Sequence, residues 1–382
     1  MNEALSEFKH EFWDRESIQF NNAGLAPISN SVAMRISTMI SQNQFQGSLM
    51  DLEWLPIISE TRKNLANFLG AQMEEVAFSQ NCASALSQAA LGYPLKPGDE
   101  VITLDQEYAS NYYPWKTACE RSGAKFTAIE SGSDFFSGAA LTAKIVSAIK
   151  PGVKIVALSW VEFQTGAVLD LRAIGEKAHS VGAFFVADGI QGIGQLPFSF
   201  KDLPVDFVVG GSHKWMCSLT GQGFFAVKKN FSDLLSPTLI GCGTFNRFGT
   251  FADPSAAMET TARKFEAGGF GFIPMFALNE AIKVHSRAGM EVIAEEVYRL
   301  SRLLREGLHT QGIDLVTPLE QRSGITSFRL PINKEIVFLQ RCREEQIAVA
   351  KRGEYIRISL HAYCDDDEVL RVLQVLASIP KV

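Results

Sequence analysis

Short runs of strand-forming residues alternate with helical stretches through the middle of this chain, and this alternation constrains its fold more than any other feature. The apolar runs have the length of buried strands and lie at 76–78, 100–104, 125–129, 154–158, 184–187 and 206–209. The helical stretches between them lie at 84–91, 113–122, 139–149 and 171–180. Such spacing is typical of βαβ units, so we expect an α/β fold in which helices sandwich a mostly parallel sheet. The run 224–227 is expected to add a seventh, antiparallel strand.

The pattern changes near residue 273, where long helical periodicity replaces the alternation. Helices are predicted at 274–287, 290–311 and 334–345, strands at 324–330 and 355–359, and a last helix after the aspartates 365–367. Acidic residues in a first turn complement the helix dipole, so these aspartates are interpreted as a helix start and not as a metal site. We predict a large α/β domain over 15–272 and a smaller α+β domain formed by 1–14 and 273–382.

Composition narrows the possible functions. The 382 residues are 46% hydrophobic with a formal net charge of −6 and no basic block, which predicts a sizeable core and argues against nucleic acid as the main partner. No apolar stretch is long enough to span a bilayer, and the N-terminus lacks the features of a signal peptide, so we expect a cytoplasmic protein without a membrane partner. Six scattered cysteines without a Cys-x-x-Cys pair support neither a metal site nor a disulfide framework.

Two chemically reactive side chains follow two of the predicted strands. Asp188 ends the run 184–187, and Lys214 comes shortly after the run 206–209. Ligands of open α/β sheets bind outside the carboxyl ends of the strands. An enzyme that holds pyridoxal 5'-phosphate (PLP) needs a lysine amine for the Schiff base and an acid that keeps the pyridine nitrogen protonated. The pair therefore predicts a PLP site with Lys214 and Asp188 as its catalytic groups.

Three further motifs suit such a site. The turn and helix start at 82–84 can offer backbone amides to a phosphate, with Ser84 as a capping residue. Tyr108 follows another predicted strand, where a flat ring can stack on a pyridine. Arg357 lies in a short alternating strand and is the residue type that binds a substrate carboxylate in a bidentate manner.

The stretches 187–192, 206–215 and 221–223 resemble those of class V aminotransferases. These are PLP enzymes of fold type I that include cysteine desulfurases, isopenicillin-N-epimerase-like proteins and kynureninases. The likeness extends from residues 20–24 to residues 356–359 and the final helix, nearly the whole chain. It implies PLP as the cofactor, a small amino acid as the substrate and a homodimer with shared active sites.

The resemblance also implies roles for individual residues. Gln191 would reach the hydroxyl of the cofactor ring, and His213 would contact the phosphate. Asn22, Ala23 and Gly24 belong to a stretch that resembles the N-terminal loop closing over the substrate. The implied cofactor contacts are Cys82, Ala83, Ser84, Tyr108, Asp188, Gln191, Ser212, His213, Lys214, Gly268 and Gly269. The last two belong to the stretch 266–271, which resembles a loop that reaches the neighbouring subunit's phosphate.

Several positions depart from the family pattern. The family usually has threonine where Ala83 stands and an acid where Ser84 stands, so the phosphate must be bound by the main-chain amides of 82–84 or by the Ser84 hydroxyl. Desulfurases usually have histidine where Tyr108 stands, whereas epimerase-like members have an aromatic residue. The cysteine that desulfurases carry just before the carboxylate arginine is absent from 346–354. Persulfide chemistry of that type is therefore disfavoured.

The choice of reaction stays open at this point. We expect an aminotransferase acting on a small amino acid, with a carbon–sulfur lyase or an epimerase-like enzyme as alternatives. A PLP-binding protein without turnover is a further alternative, and a nucleotide-binding protein lacks the Gly-x-Gly-x-x-Gly motif after a first strand. His361 is predicted to be a packed or capping histidine. Arg352 is either a substrate contact or solvated, Asn111 a possible phosphate or substrate contact, and Trp115 a core residue or a site residue.

Overall fold

The computed structural model of the protein describes residues 2–245, 255–269 and 271–379. Met1, residues 246–254, Phe270 and residues 380–382, which the predicted domain ranges include, lie outside the described residues. The strands are β1 (Ile18–Gln19), β2 (Val76–Ser79), β3 (Glu100–Leu104), β4 (Lys125–Ile129), β5 (Val153–Ser159), β6 (Phe184–Asp188), β7 (Phe207–Gly211), β8 (Gly223–Val227), β9 (Asp314–Leu315), β10 (Ile325–Arg329), β11 (Ile347–Ala348), β12 (Ala350–Arg352) and β13 (Tyr355–Ser359). The α-helices are α1 (Glu3–His10), α2 (Asn30–Gln46), α3 (Asp51–Leu69), α4 (Cys82–Gly92), α5 (Ala109–Ser122), α6 (Gly138–Ala148), α7 (Leu171–Ser180), α8 (Lys229–Ser232), α9 (Phe272–Ala288), α10 (Met290–Thr310), α11 (Ile332–Glu344) and α12 (Asp366–Ala377).

The larger sheet has seven strands in the order β2-β8-β7-β6-β5-β3-β4. Strands β3 to β7 pair in parallel, and β8 runs antiparallel to both of its neighbours, β2 and β7. The predicted mostly parallel sheet with an antiparallel addition at 224–227 is therefore confirmed. Residues of β7 and β8 are buried throughout, as expected for strands covered on both faces.

Helices cover both faces of this sheet. Alternate residues of β6 point to opposite sides, with Phe185 and Ala187 in one hydrophobic cluster and Val186 in another. The first cluster receives apolar side chains from α3, α6, α7 and α9, and the second receives them from α4 and α5. The result is the predicted three-layer sandwich, which leaves the strand ends as the place where polar groups meet.

A smaller antiparallel sheet, in the order β12-β13-β10-β9, lies with α10, α11 and α12 around a separate hydrophobic cluster. Helix α1 contributes Leu5 and Phe8 to this cluster. Helix α9 joins the two cores, because Met275 belongs to the large one and Val284 to the small one. The division into two domains at residues 14–15 and 272–273 stays a prediction.

The N-terminal segment is attached to the smaller sheet and to the large domain. Strand β1 pairs in parallel with β11, and Asn21 forms an isolated bridge with Ser359 at the end of β13. A little further on, the Ala26 amide donates to the His213 carbonyl at 3.0 Å. These bonds hold residues 20–26 between β13 and the loop that follows β7. None of the described helices combines the length and the hydropathy that crossing a bilayer requires.

The start of α12 explains the run of three aspartates. The Asp365 side chain accepts a hydrogen bond from the Glu368 amide at 2.9 Å, and the Glu368 carboxylate accepts one from the Asp365 amide at 3.1 Å. This reciprocal pair is a capping box, so the predicted structural role of the aspartates is confirmed.

Replacing Asp365 by alanine should lower the free energy of unfolding by about 1 kcal/mol, because an amide of the first helical turn loses its acceptor. Asp367→Ala is the matched control, since it removes an acid from the same turn without removing the cap. Urea unfolding followed by circular dichroism measures both variants. Equal stability of the two would show that the capping box contributes nothing.

Candidate active site

Lys214 and Asp188 lie beyond the carboxyl ends of two adjacent parallel strands. Asp188 is the last residue of β6 and pairs in register with Val209 of β7, and Lys214 follows β7 by three residues. The Trp160 amide donates to the Asp188 carbonyl at 2.8 Å, so the chain leaving β5 fixes this strand end on its other side. The fold thus brings the predicted lysine and acid to the same edge of the sheet.

Asp188 is a buried carboxylate, and few groups offset its charge. Its Oδ1 accepts one hydrogen bond, from the Ile190 amide at 3.0 Å, and the described residues provide it with no ion pair. Burial raises the pKa of Asp188, while Lys214 and the Ile190 amide lower it. A carboxylate in this state favours a cationic partner, and a protonated pyridine nitrogen meets that requirement.

Lys214 is also removed from water. Burial lowers the pKa of the Lys214 amine, Asp188 and Cys82 raise it, and Arg357 and Arg352 lower it further. Its Nζ lies 5.7 Å from the centroid of the Tyr108 ring. The lowered pKa increases the fraction of neutral amine, which is the nucleophilic form.

The loop that carries Lys214 is fixed in place at the backbone of Trp215. Its carbonyl lies 2.8 Å from both His285 Nε2 and His361 Nε2, and His285 Nδ1 lies 2.8 Å from the Ala281 carbonyl. His361 Nδ1 accepts from the Ala362 amide, so its proton lies on Nε2 and is donated to Trp215. Burial lowers the pKa of His361 to about 3, which keeps the ring neutral and confirms a packed histidine. Ligand atoms of Cys217, His285 and His361 lie within 4.8 Å of one another, and the Trp215 carbonyl accounts for the orientation of both rings.

The side chains of Gln191 and Ser212 are engaged within the protein. Gln191 Nε2 donates to the Ala23 carbonyl at 3.1 Å, and its Oε1 accepts from the Trp215 indole at 2.8 Å. The Ser212 hydroxyl faces the carbonyls of Leu219 and Gln222. Both residues therefore hold loops of the site together, and their direct contacts with the cofactor stay predictions.

The start of α4 has the form of a phosphate site. Its N-cap is Asn81 and not Ser84: Asn81 Oδ1 accepts from the Ser84 amide at 2.9 Å, and Ser84 Oγ donates to the Asn81 carbonyl at 2.8 Å. The amides of Cys82 and Ala83 lie in the first turn, where a helix has no internal acceptors for its N–H groups. These amides and the helix dipole suit an anion.

A cavity of about 130 Å³ adjoins this turn. Ser79 and Ser84 line it from one side, and Gly268 and Gly269 from the other. Both glycines have positive φ, 136° and 65°, so their backbone takes a conformation that side chains disfavour. The predicted approach of this loop to a neighbouring subunit's phosphate stays a prediction, and within one chain the loop lies beside the chain's own α4 turn.

Arg357 lies on β13, is only 1% exposed and is prepared for an anion. Its Nη1 donates to the Phe163 carbonyl at 2.6 Å, its Nη2 donates to Asn21 Oδ1 at 3.2 Å, and its Nε has no hydrogen-bond partner in the described part of the chain. Burial and the neighbouring Arg352 lower the pKa of Arg357 to about 9, so the group is still a cation at neutral pH. A buried guanidinium without an acidic neighbour suits a substrate carboxylate.

The side chain of Asn22 is engaged within the protein, and its expected contact with the substrate stays a prediction. Its Nδ2 donates to the Ser359 carbonyl at 2.8 Å, and its Oδ1 accepts from the Tyr363 hydroxyl, so the side chain is directed into the protein. Asn21, which sequence reasoning did not select, is the neighbour of Arg357. Ala23 donates its amide to Ser359 Oγ at 2.9 Å, and Gly24 donates to the Asn21 carbonyl at 2.9 Å. These residues hold the loop in place at the carboxylate end of the site.

Sequence reasoning also missed an acidic network beneath Tyr108. Glu107 accepts hydrogen bonds from the Ser159 amide at 2.5 Å, from the Ser159 hydroxyl at 2.7 Å and from Asn111 Nδ2 at 3.1 Å. Burial raises the pKa of Glu107 to about 7. The contact gives Asn111 a structural role beside Glu107, and the motif of an acid before the stacking aromatic was the available signal. Trp115 belongs to the core cluster below α5.

Glu162 is a second acid that the sequence analysis did not name. It is fully buried, and neither carboxyl oxygen has a hydrogen-bond partner among the described residues. Burial, followed by Glu107 and Asp188, raises the pKa of Glu162 well above its ordinary value. Burial therefore favours the protonated, uncharged form of this side chain. Because Glu162 lies in the apolar sequence after β5, the sequence did not indicate that this acid is near the site.

Taken by their chemistry, these groups fit PLP. Asp188 can pair with the pyridine nitrogen, Lys214 can bind the aldehyde, and the α4 amides can hold the phosphate. The Tyr108 ring is 48% exposed and packs edge-on against Phe163, with 5.2 Å between centroids, so one face is free for stacking.

Comparison with known proteins agrees with this geometry. The family model Aminotransferase class-V matches residues 21–373. The chain is 28% identical to a probable cysteine desulfurase of Pyrococcus abyssi over 339 residues, which is 84% of this chain and 83% of the relative. It is 26% identical to an isopenicillin N epimerase of Amycolatopsis lactamdurans, with 94% of each chain covered. A solved structure of a lysine variant of C-DES, with glycine covalently linked to the PLP cofactor, superposes with a TM-score of 0.91 at 20% identity, covering 97% of this chain and 99% of that one. The last likeness shows the fold alone.

Replacing Glu107 by alanine should lower the free energy of unfolding by about 2–5 kcal/mol, because the buried donors of Ser159 and Asn111 lose their acceptor and a cavity remains. Glu107→Gln should be milder, since its carbonyl oxygen can still accept from the Ser159 amide. Glu120→Ala, on the exposed side of α5, is the matched control. Denaturant midpoints compare the three, and a Glu107→Ala protein as stable as the control would contradict the network.

Proposed function

Because this chain belongs to the class-V aminotransferase family, its cofactor is PLP, and we propose that it is an aminotransferase acting on a small amino acid. The observation that carries the proposal is the position of Lys214. Its desolvated amine is close enough to Asp188 and to Arg357 for both charges to act on it. One amine is thus near a group suited to the cofactor nitrogen and a group suited to the substrate carboxylate.

PLP, when bound, supplies an electron sink for the bond that breaks at the α-carbon. Arg357 binds the α-carboxylate and orients the α-carbon toward Lys214. Asp188 holds the proton on the ring nitrogen, which its burial at the end of β6 makes favourable. Lys214 removes the α-proton and returns it, because burial lowers the pKa of its amine and so increases the fraction of the neutral form.

The surroundings of Lys214 favour a reaction that needs a single base. Burial raises the pKa of the Cys82 thiol well above its ordinary value, which leaves it uncharged and a poor base. Arg352 and Arg357 are cations and cannot accept a proton. By the family resemblance, His213 would contact the phosphate. Transamination needs one group that moves a proton between two atoms on one face, and Lys214 can do so alone.

A carbon–sulfur lyase is the second candidate, because sequence relatives of this chain are named cysteine desulfurases. A persulfide on the protein would require an accessible thiol beside the substrate. Cys342 and Cys364, which flank the Arg357 strand in sequence, are buried, and the exposed thiol of the described residues, Cys242, lies in the loop near Gly268. The arrangement therefore favours a lyase without a protein persulfide over a desulfurase.

A homodimer completes the proposal. Helix α2 and the segment after it expose large apolar side chains that a single chain leaves in contact with water, with Met34 67% exposed, Phe45 78% and Leu49 79%. A second copy of the chain would cover such a surface. Shared active sites follow if the loop at 266–269 contacts the partner's cofactor.

The reaction can be identified with the holoenzyme and single amino acids in the absence of an amino acceptor. An aminotransferase converts one equivalent of cofactor to its amine form and releases one equivalent of 2-oxo acid, both measurable by absorbance and chromatography. Lys214→Ala should lose this conversion by a factor of at least about 10³, since its general base is gone. Lys229→Ala, which removes an exposed lysine on α8, is the control.

A different product pattern would overturn the transferase assignment. Multiple turnovers that release ammonia and sulfide from cysteine, with the cofactor unchanged, would identify a lyase. Cyanide-labile sulfur on the protein would restore the desulfurase. Full activity of the Lys214→Ala protein would reject the role of this lysine.

A further inference from the structure

Arg352 is a cation beside the site that the proposed reaction does not use. It ends β12, and its Nη1 donates to the carbonyl of its own neighbour, Lys351, at 2.9 Å. The described residues provide no acid in an ion pair with it, although it is half-buried. Its charge acts on both Lys214 and Arg357, lowering the pKa of each.

The register of the small sheet places Arg352 and Arg357 on one face. Ala350 pairs with Arg357, and Arg352 pairs with Tyr355, in the antiparallel ladder between β12 and β13. Paired residues share a face, and so do residues two apart on one strand. Both guanidinium groups therefore extend from the same face, and Arg357 already marks that face as the substrate side.

A single loop beyond β5 supports both arginines. The Phe163 carbonyl accepts from Arg357 Nη1, and the Gln164 side chain donates to the Arg352 carbonyl at 3.3 Å. Ser327 on β10 donates to the Gln164 carbonyl at 2.6 Å, which anchors the loop to the middle of the same sheet. The separation of the two cations is thus set by the fold and not by flexible side chains alone.

The balance of charges on the face of the small sheet that carries Arg352 and Arg357 is unusual. Like charges in a half-buried region raise each other's energy, and native structures normally place an acid between them. Here the acids near the site, Asp188, Glu107 and Glu162, belong to the cofactor end and to the network below Tyr108. One α-carboxylate balances Arg357 and leaves Arg352 without a partner.

We propose that Arg352 is a second anion-binding residue of the active site, and that the amino-acid substrate carries an anionic group at the end of its side chain, as in a dicarboxylic amino acid. The inference rests on the proposed function in one respect, that Arg357 binds the α-carboxylate. With the α-carboxylate on Arg357, a distal carboxylate faces Arg352, and the two cations are balanced by the two anions of one substrate.

Lys351 provides a matched control on the same strand. As the residue between Ala350 and Arg352, it lies on the opposite face of the sheet, and its ammonium pairs with Glu335 of α11. Lys351→Gln removes one positive charge next to Arg352 without changing the substrate face. Any effect of overall charge on anion binding should appear equally in both variants.

The test is equilibrium binding to the holoenzyme, followed by the change in cofactor absorbance. The probes are succinate and glutarate, each compared with its half-amide, succinamate and glutaramate, which keep the size and lose one charge. The wild-type protein and Lys351→Gln should bind one diacid at least about tenfold more tightly than its half-amide. Arg352→Gln should lose this preference by weakening the diacid about ten- to hundredfold, with the half-amide unchanged. The kcat/KM ratio of aspartate or glutamate over its amide should fall in parallel.

Three outcomes would overturn the inference. Equal binding of diacid and half-amide by the wild-type protein would show that no second anion is recognised. Equal weakening of diacid and half-amide binding by Arg352→Gln would show that Arg352 binds the α-carboxylate together with Arg357. An equal loss of the diacid preference in Lys351→Gln would show that the effect comes from the overall charge of the protein. Failure of the proposed reaction is distinguishable, because it leaves this binding preference intact while the cofactor is not converted to its amine form.

Discussion

The carboxylate of Asp188 is the constraint on which the site depends. It lies at the end of a fully apolar strand, with one backbone donor on the oxygen Oδ1 and no ion pair among the described residues. Burying an isolated charge costs free energy, so a carboxylate at a buried strand end requires a nearby cation. Lys214 supplies this positive charge only in part, because burial of its amine favours the neutral form. A protonated pyridine satisfies the acid and leaves the amine free for chemistry.

The remaining structure fixes the distance between the two ends of the substrate site. On the cofactor side, His285 and His361 contact the Trp215 carbonyl, and the Trp215 indole donates to Gln191. On the substrate side, the loop at 163–164 supports β13, and the segment at 21–26 joins Ser359 to His213. Arg357 and Lys214 come from different sheets, so these short connections decide whether an amino acid can reach both.

The sequence predicts those parts of the fold that depend on local patterns of residues. The seven strands and the helices between them are continuous apolar runs or periodic stretches, and their bounds were predicted within a few residues. Helices α2 and α3 were missed, because exposed apolar residues such as Phe45 obscure the polar face of α2, and α2 buries few side chains.

The lysine and the acid of the site could be predicted because each interrupts an apolar pattern. Asn21 and Glu162 could not be, since their roles arise from residues distant in the sequence, Arg357 for Asn21 and Glu107 and Asp188 for Glu162. The hydrogen bonds of Gln191 and Ser212 join loops, which no local pattern reveals, and their predicted contacts with the cofactor stay predictions.

The protonation state of the cofactor's ring nitrogen tests the central claim most directly. Holoenzyme prepared with PLP labelled with nitrogen-15 in the ring can be compared with the same preparation of Asp188→Asn, which keeps the size of the side chain and removes its charge. The account predicts a nitrogen chemical shift of a protonated pyridine in the wild-type protein at pH 8 and of a neutral pyridine in the variant. A neutral pyridine in the wild-type protein, or the same shift in both, would contradict it.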